Sequence, residues 1–217
     1  SAIAAQFGIR VLCDTRTGSA ATEIAAFGRE QGADLLVIGE HGEDRIGDAV
    51  LGGTALKVLK RADLPVLVVR RPFTPASSII IVATDFSDNA HRAAQLSVRL
   101  FPEARQQLLH AYFVAFEGRM RLAGAADEEI DRYRADEAAR TRCRIEEQRA
   151  ALGTVVAVDT LVKRGTPAGV LIDEAARQRA DLIVIGKHGG TIFDERLMGS
   201  VTQNVLYHAG CNVLLVP

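Results

Sequence analysis

The stretch "DLIVIGKHGGTIFDERLMGS" at residues 181–200 joins an apolar run to a serine through a long connection punctuated by glycines. The run "LIVIG" is continuous rather than alternating, which is typical of a strand buried in a parallel sheet. The residues after Ser200, "VTQNVLYHAG", fit a helix. Strand-to-helix connections usually take ~2–6 residues, and longer ones are often functional. The stretch therefore predicts an α/β sheet with a functional loop at the end of one strand.

A related stretch lies earlier in the chain. With a shift of 147 positions, residues 18–70 align with residues 165–217 without a gap, and 18 of the 53 positions are identical. "QGADLLVIGEHG" aligns with "QRADLIVIGKHG", and Gly52 aligns with Gly199. Self-similarity at a fixed spacing is the signature of a repeated structural unit. We interpret the chain as two homologous domains.

The second copy contains a complete alternation of strands and helices. The predicted strands are 79–84, 107–114, 155–162, 181–186 and 211–216, and the predicted helices are 89–101, 127–152, 167–179 and 200–209. Alternation at this spacing implies right-handed crossovers between parallel strands. The fold class is therefore α/β: two tandem Rossmann-like, doubly wound domains with five-stranded parallel sheets.

The first copy is incomplete at its N-terminal side. We assign residues 1–70 to the C-terminal portion of a first domain, 71–78 to a linker and 79–217 to a complete second domain. In the first copy "IRVLCD", residues 9–14, is the predicted third strand. Counting back from Ile79 places its first strand before Ser1, so we expect the natural chain to begin further upstream. The last strands, "PVLVV" and "NVLLV", are expected to pair the two domains, and a homodimer can build on that pair.

The composition of the chain argues against several classes of binding partner. The formal net charge is −1, which favours neither a nucleic-acid backbone nor an anionic membrane. No apolar stretch approaches the ~18 residues that a membrane span requires. The three cysteines lack CxxC spacing, which indicates neither a disulfide framework nor a zinc site. A cytoplasmic protein fits these features best.

The glycine loop predicts an anion site. In open α/β sheets, ligands bind beyond the carboxyl ends of the strands, where the winding direction reverses. Gly186 and Gly189 allow a sharp turn and a close approach of the backbone to a ligand. Gly199 and Ser200 open a helix whose first amides and dipole favour negative charge. Ser200 can act there as an N-cap or as a direct phosphate contact.

The spacing G-x-x-G, nine residues, then G-S, together with "VATDFS" after the first strand, resembles the ATP-binding branch of the universal stress protein family. The resemblance covers essentially the whole chain. It implies an adenine nucleotide alpha hydrolase-like fold, binding of ATP with or without Mg²⁺, and a role in stress response. It places the following residues around the nucleotide: Thr84 and Asp85 near the adenosine, Gly186, His188 and Gly189 along the ribose and phosphates, and Gly199, Ser200, Val201 and Thr202 around the phosphates.

Two departures from the family pattern affect this prediction. Asp194 and Glu195 lie within the loop and would repel a triphosphate unless they point outward or hold Mg²⁺. In the first copy Gly53 stands where serine or threonine is expected, and Thr54 follows one place late. We therefore predict a nucleotide site in the second copy and a degenerate one in the first.

Several alternatives remain open at this point. Asp85 can cap the following helix, and His188 has a twin in His41, which fits a structural role. A P-loop enzyme needs GxxxxGK[ST] and a dinucleotide oxidoreductase needs GxGxxG after its first strand, and both patterns are absent. Without an evident catalytic base or arginine finger, we expect at most slow ATP hydrolysis. The competing function is a protein–protein interaction module of the same fold that binds no nucleotide.

Overall fold

The computed structural model of the protein describes residues 6–40, 51–114, 117–153, 156–189 and 198–217. The strands of this part are β1 (Leu36–Gly39), β2 (Val66–Val69), β3 (Ile79–Ala83), β4 (Arg105–Tyr112), β5 (Val158–Arg164), β6 (Leu182–Gly186) and β7 (Asn212–Val216). The helices are α1 (Ala20–Glu30), α2 (Gly53–Arg61), α3 (Asp88–Leu100), α4 (Glu117–Leu122), α5 (Asp127–Ala151), α6 (Pro167–Gln178) and α7 (Ser200–His208). A short 3₁₀ turn, Pro75–Ser77, lies in the predicted linker.

Residues 79–217, the C-terminal part, build the predicted doubly wound fold. Five parallel strands lie in the order β7-β6-β3-β4-β5. Every residue of β6 and β7 is buried, which explains why their sequences are apolar except for Asn212 at the start of β7. One core cluster packs α6 and α7 against the sheet, and a second packs α3 and α5 against the opposite face. The Rossmann-like α/β class is thereby confirmed.

Residues 6–70, the N-terminal part, extend the same sheet. Their strands β1 and β2 are parallel to each other, and β2 pairs antiparallel with β7. Val66, Leu67 and Val68 oppose Leu215, Leu214 and Val213 in that pairing. The last strands of the two copies thus meet as predicted, and the described strands form one seven-stranded sheet in the order β1-β2-β7-β6-β3-β4-β5.

The predicted strand "IRVLCD" is wrong. Residues 9–14 are exposed and form neither helix nor strand. In the C-terminal part the equivalent strand, β5, is held by hydrogen bonds to β4, which pairs in turn with β3. No described strand in the N-terminal part corresponds to β3 or β4. An apolar segment without a neighbouring strand has no ladder to join, so residues 9–14 do not form one.

Candidate functional site

A cavity of about 220 Å³ opens at the carboxyl ends of β3 and β6, where the strand order reverses. This volume is far larger than a single water or ion requires. Apolar side chains, including Leu109 of β4 and Leu171 of α6, form one part of the wall. All nine residues predicted for the nucleotide site also line it, namely Thr84, Asp85, Gly186, His188, Gly189, Gly199, Ser200, Val201 and Thr202. The structure therefore brings the predicted set together, while its ligand-binding role stays a prediction.

Backbone hydrogen bonds hold the two ends of the glycine loop together. The amide of Lys187 donates to the carbonyl of Val216 at 2.6 Å, and the amide of Gly199 donates to the carbonyl of Lys187 at 3.1 Å. The buried hydroxyl of Thr202 donates to the carbonyl of Gly186 at 2.9 Å. The first bond ties the start of the loop to β7, and the other two tie it to the helix that follows the loop. We call residues 186–189 with 198–202 the glycine corner.

The N-terminus of α7 faces this cavity without a side-chain cap. Gly199 occupies the N-cap position with φ −58° and ψ 147°, and no side chain bonds there. Ser200 is the first residue of the helix, so its predicted alternative role as the N-cap is wrong. The first backbone hydrogen bond of α7 runs from the amide of Gln203 to the carbonyl of Gly199. The amides of the first turn consequently have no partner within the helix, as anion sites require.

Asp85 lines the cavity and also makes hydrogen bonds with the start of α3. One carboxylate oxygen accepts hydrogen bonds from the amide of Ser87, at 3.0 Å, and from its hydroxyl. Ser87, whose hydroxyl accepts from the amide of Ala90, is the N-cap of α3, so the prediction that Asp85 itself caps this helix is wrong. The second oxygen approaches Gly189 so closely that a Cβ built there would lie 2.7 Å from it. A side chain at 189 would therefore force the Asp85 carboxylate to move.

His188 supplies a buried polar group in the cavity wall. Its side chain is only 7% exposed, and its Nδ1 has no hydrogen-bond partner among the described residues. Its carbonyl accepts a hydrogen bond from Asn89 of α3 at 3.3 Å, which fixes the backbone. Buried polar atoms nearly always have a partner, so an unpaired one in a cavity wall suggests that a ligand supplies it.

Sequence analysis missed the side chains that contact Thr84 at the cavity, and one of them, His110, also lines the cavity. Thr84 donates to Gln148 of α5 at 2.6 Å, and Nδ1 of His110 lies 2.7 Å from the Thr84 carbonyl. Because a carbonyl only accepts, Nδ1 carries the hydrogen. Burial lowers the pKa of His110, the bond to Thr84 opposes this effect, and the charge of Arg144 adds to the lowering. The pairing of β3 with β4 and the packing of α5 bring these residues together, so no spacing along the sequence predicts them.

Phe86 follows Asp85 with an unusual backbone. Its φ of +66° is strained for a non-glycine residue. Its ring packs against the ring of His110 with centroids 4.3 Å apart. The guanidinium carbon of Arg144 lies over the Phe86 ring, 4.3 Å from its centroid. These contacts stabilise the strained turn directly beside the cavity.

Some predicted features fall outside the described residues. Asp194 and Glu195 are among them, as is His41 of the first copy. Within the described ranges, no group of three or more His, Cys, Asp or Glu residues is placed to hold a metal ion. Nor is any helix of those ranges long and apolar enough to cross a membrane.

Comparisons with known proteins agree on one family. A family model described as the universal stress protein family matches residues 2–70 and 77–217. A universal stress protein of Thermus aquaticus is 33% identical over 139 residues, covering 63% of this chain and 96% of the relative. One from Methanocaldococcus jannaschii is 29% identical over 138 residues, covering 63% of this chain and 80% of the relative. A universal stress protein structure from Archaeoglobus fulgidus superposes with a TM-score of 0.63 at 20% identity, covering 90% of this chain and 66% of that one, which indicates a shared fold.

Proposed function

Since the chain belongs to the universal stress protein family, we propose that its cavity binds an adenine nucleotide, ATP, as part of a role in stress response. One observation carries this proposal. The cavity has the uncapped N-terminus of α7 on one side and apolar side chains, among them Ala83 of β3 and Leu109 of β4, on another. A nucleotide has the matching polarity, with an anionic phosphate chain at one end and a flat, largely apolar base at the other.

The residues present fit such a ligand. In the proposed complex Gly199, Ser200, Val201 and Thr202 surround the phosphates, as a helix N-terminus favours anions. His188 offers its buried, unpartnered Nδ1 to the ligand. The close contact of Gly189 with Asp85 keeps the backbone near the ribose, while Thr84 and Asp85 border the adenosine. Mg²⁺ then arrives bound to the phosphates rather than to a preformed cluster of protein ligands.

Binding rather than turnover is the proposed activity. Hydrolysis requires a positioned water and a group that stabilises charge at the γ-phosphate. The wall of the cavity offers hydroxyls, glycines and His188, but among the described residues it contains no arginine or lysine side chain to serve as a finger. We expect ATP hydrolysis to be slow. A fast, saturable ATPase would contradict this part of the proposal.

The organisation of the chain belongs to the same proposal. Residues 1–70 are the C-terminal portion of a first universal stress protein domain, 71–78 are a linker and 79–217 are a second domain. The antiparallel pairing of β2 with β7 and the two segments matched by the family model support this division. A homodimer of such pairs and a cytoplasmic location complete the proposal.

Calorimetric titration with ATP and Mg²⁺ tests the proposed site. Ser200→Ala is expected to weaken binding about tenfold, because one hydrogen bond to a charged group contributes ~1.5 kcal/mol or more. Gly199→Ala adds a methyl at the mouth of the cavity while meeting only ordinary contacts, at 3.7 Å or more, in the protein itself. Binding should then fall with little loss of stability.

Thr54→Ala is the matched control, since Thr54 is an exposed hydroxyl residue at the start of α2 in the other copy. It should bind ATP like the wild type. If the wild type binds no ATP at millimolar concentration, the proposal fails and the interaction module is favoured.

A further inference from the structure

Two cations cross the boundary between the N-terminal and C-terminal parts. The ammonium of Lys187 donates to the carbonyls of Lys60 and Ala62, at 3.1 and 3.0 Å, at the C-terminus of α2. In the other direction, Arg70 donates to the carbonyls of Leu206, Ala209 and Cys211 at the C-terminus of α7. Cations stabilise helix C-termini because the last carbonyls have no helical partner. Each part therefore caps a helix of the other.

The exchange of caps follows the internal repeat. Ala62 and Ala209 are equivalent under the shift of 147 positions, and both end their helices with φ −69° and ψ 131°. The cations come from different positions, however. Lys187 follows Gly186 at the end of β6, and Arg70 follows β2. The residue equivalent to Lys187 is Glu40, whose carboxylate pairs with Arg70 at 2.7 Å.

Lys187 belongs to the glycine corner as well as to the boundary. Its carbonyl accepts from Gly199, the N-cap of the helix whose N-terminus faces the cavity. Its side chain is buried, with the residue only 4% exposed. A buried ammonium requires its hydrogen bonds, because breaking them costs part of the desolvation free energy of a charged group. A shift of the corner relative to α2 would break those bonds.

We infer that Lys187 is a positioning residue that couples the cavity to the N-terminal part of the chain. It holds the glycine corner where α2 lies, so that docking of the N-terminal part favours the ligand-binding arrangement. Coupling of this kind is reciprocal, and a ligand in the cavity strengthens the docking of α2. The identity of that ligand rests on the proposed function.

Hydrogen exchange of the ligand-free protein tests the coupling without any nucleotide. Lys187→Met keeps the aliphatic stem and removes the ammonium. Amides of residues 198–202 and of residues 57–64 should both exchange at least about fivefold faster, the lower range of typical coupling. Lys60→Met is the matched control, because it removes an exposed ammonium from α2 and keeps the Lys60 carbonyl. Faster exchange confined to residues 57–64 would overturn the inference and leave Lys187 as a plain cap of α2.

The wild type with ATP and Mg²⁺ supplies the second test. Binding should slow exchange in residues 57–64, which do not line the cavity. Lys187→Met should abolish this distant protection and weaken ATP binding about fivefold or more, and Lys187→Arg should restore both. Equal affinity and equal protection in Lys187→Met would overturn the inference. If Lys187→Met does not fold, the wild type alone decides: ATP should slow exchange in residues 57–64, and unchanged exchange there would overturn the inference. If ATP does not bind the wild type, the proposed function fails, while the ligand-free comparison still judges Lys187.

Discussion

At their described ends, the corner that joins β1 to α2 and the corner that joins β6 to α7 have equivalent backbone hydrogen bonds. In the first corner, the amide of Glu40 donates to the carbonyl of Val69 at 3.1 Å, and the amide of Gly52 donates to the carbonyl of Glu40 at 2.9 Å. The equivalent hydrogen bonds in the second corner run from the amide of Lys187 to the carbonyl of Val216 and from the amide of Gly199 to the carbonyl of Lys187. Gly52 and Gly199 cap their helices with nearly the same dihedral angles, and neither helix has a side-chain cap.

The side chains around the two corners differ. Thr202 donates to Gly186 in the second corner, whereas the first has Ala55 beside Gly39. Ser200 is replaced by Gly53. The second corner also faces Thr84 and Asp85 at the end of β3, and no described strand takes the place of β3 in the first.

This comparison separates the requirements of the fold from those of a ligand. The glycines and the backbone bonds persist in both copies, so the strand-to-helix turn itself depends on them. The hydroxyls of Ser200 and Thr202 and the carboxylate of Asp85 form a second set, which has no equivalent among the described residues of the first copy. The second set therefore contains the better candidates for ligand contacts.

The largest expected difference between the copies concerns acid stability. Buried Glu174 accepts hydrogen bonds from Lys163, Arg177 and Gln178, and its equivalent is Phe27. The bond from Arg177 lowers the pKa of Glu174 most, burial opposes this effect, and Lys163 and Gln178 add to the lowering, which brings the pKa to about 2. The resulting stabilisation is complete above pH 4.5, the ordinary value, and is lost as the pH falls toward about 2.

We expect this group to contribute about 2 kcal/mol, less than the full linkage value because Lys163 and Arg177 are partly exposed. Urea unfolding at pH 5.5 and near pH 3 measures it. Glu174→Gln should be less stable than the wild type at the higher pH and approach it at the lower one. A constant difference between the two proteins would show that Glu174 does not titrate as described.

A smaller effect is expected from the bond that only the second corner has. Thr202→Val removes the donor to the Gly186 carbonyl while keeping the shape of the side chain. The free energy of unfolding should fall by about 1.5 kcal/mol, because a buried carbonyl loses its partner. Thr54→Val, at an exposed position of α2, should change it little. An unchanged urea midpoint for Thr202→Val would mean that this bond does not hold the corner together.

The smallest effect is expected when the first corner receives the serine of the second. Gly53→Ser meets no described atom within 4 Å and should change stability by less than about 0.5 kcal/mol. It should also leave the number of ATP molecules bound per chain unchanged, since the counterpart of Asp85 is missing from the described N-terminal part. Calorimetric stoichiometry measures this. A second bound ATP would show that the serine alone makes a site.

Much of the architecture was predictable because apolar runs and glycines act locally. The runs "IIIVA" and "LIVIG" specify buried parallel strands, and the repeat aligns the two corners. Parallel strands present their carboxyl ends at one edge of the sheet, so Asp85 and Gly186 had to meet there. The prediction went wrong at residues 9–14, since a strand exists only with a neighbour to pair with.

The sequence by itself determined the fold class, the repeat and nine of the residues that line the cavity, because each depends on local pattern and on the direction of parallel strands. Only the tertiary structure decided that Gly199 rather than Ser200 caps α7, that His110 contacts the Thr84 carbonyl at the cavity, and that Lys187 reaches α2. These features depend on which distant carbonyl lies within about 3 Å of a donor. Such distances arise from packing between elements, and no spacing along the chain encodes them.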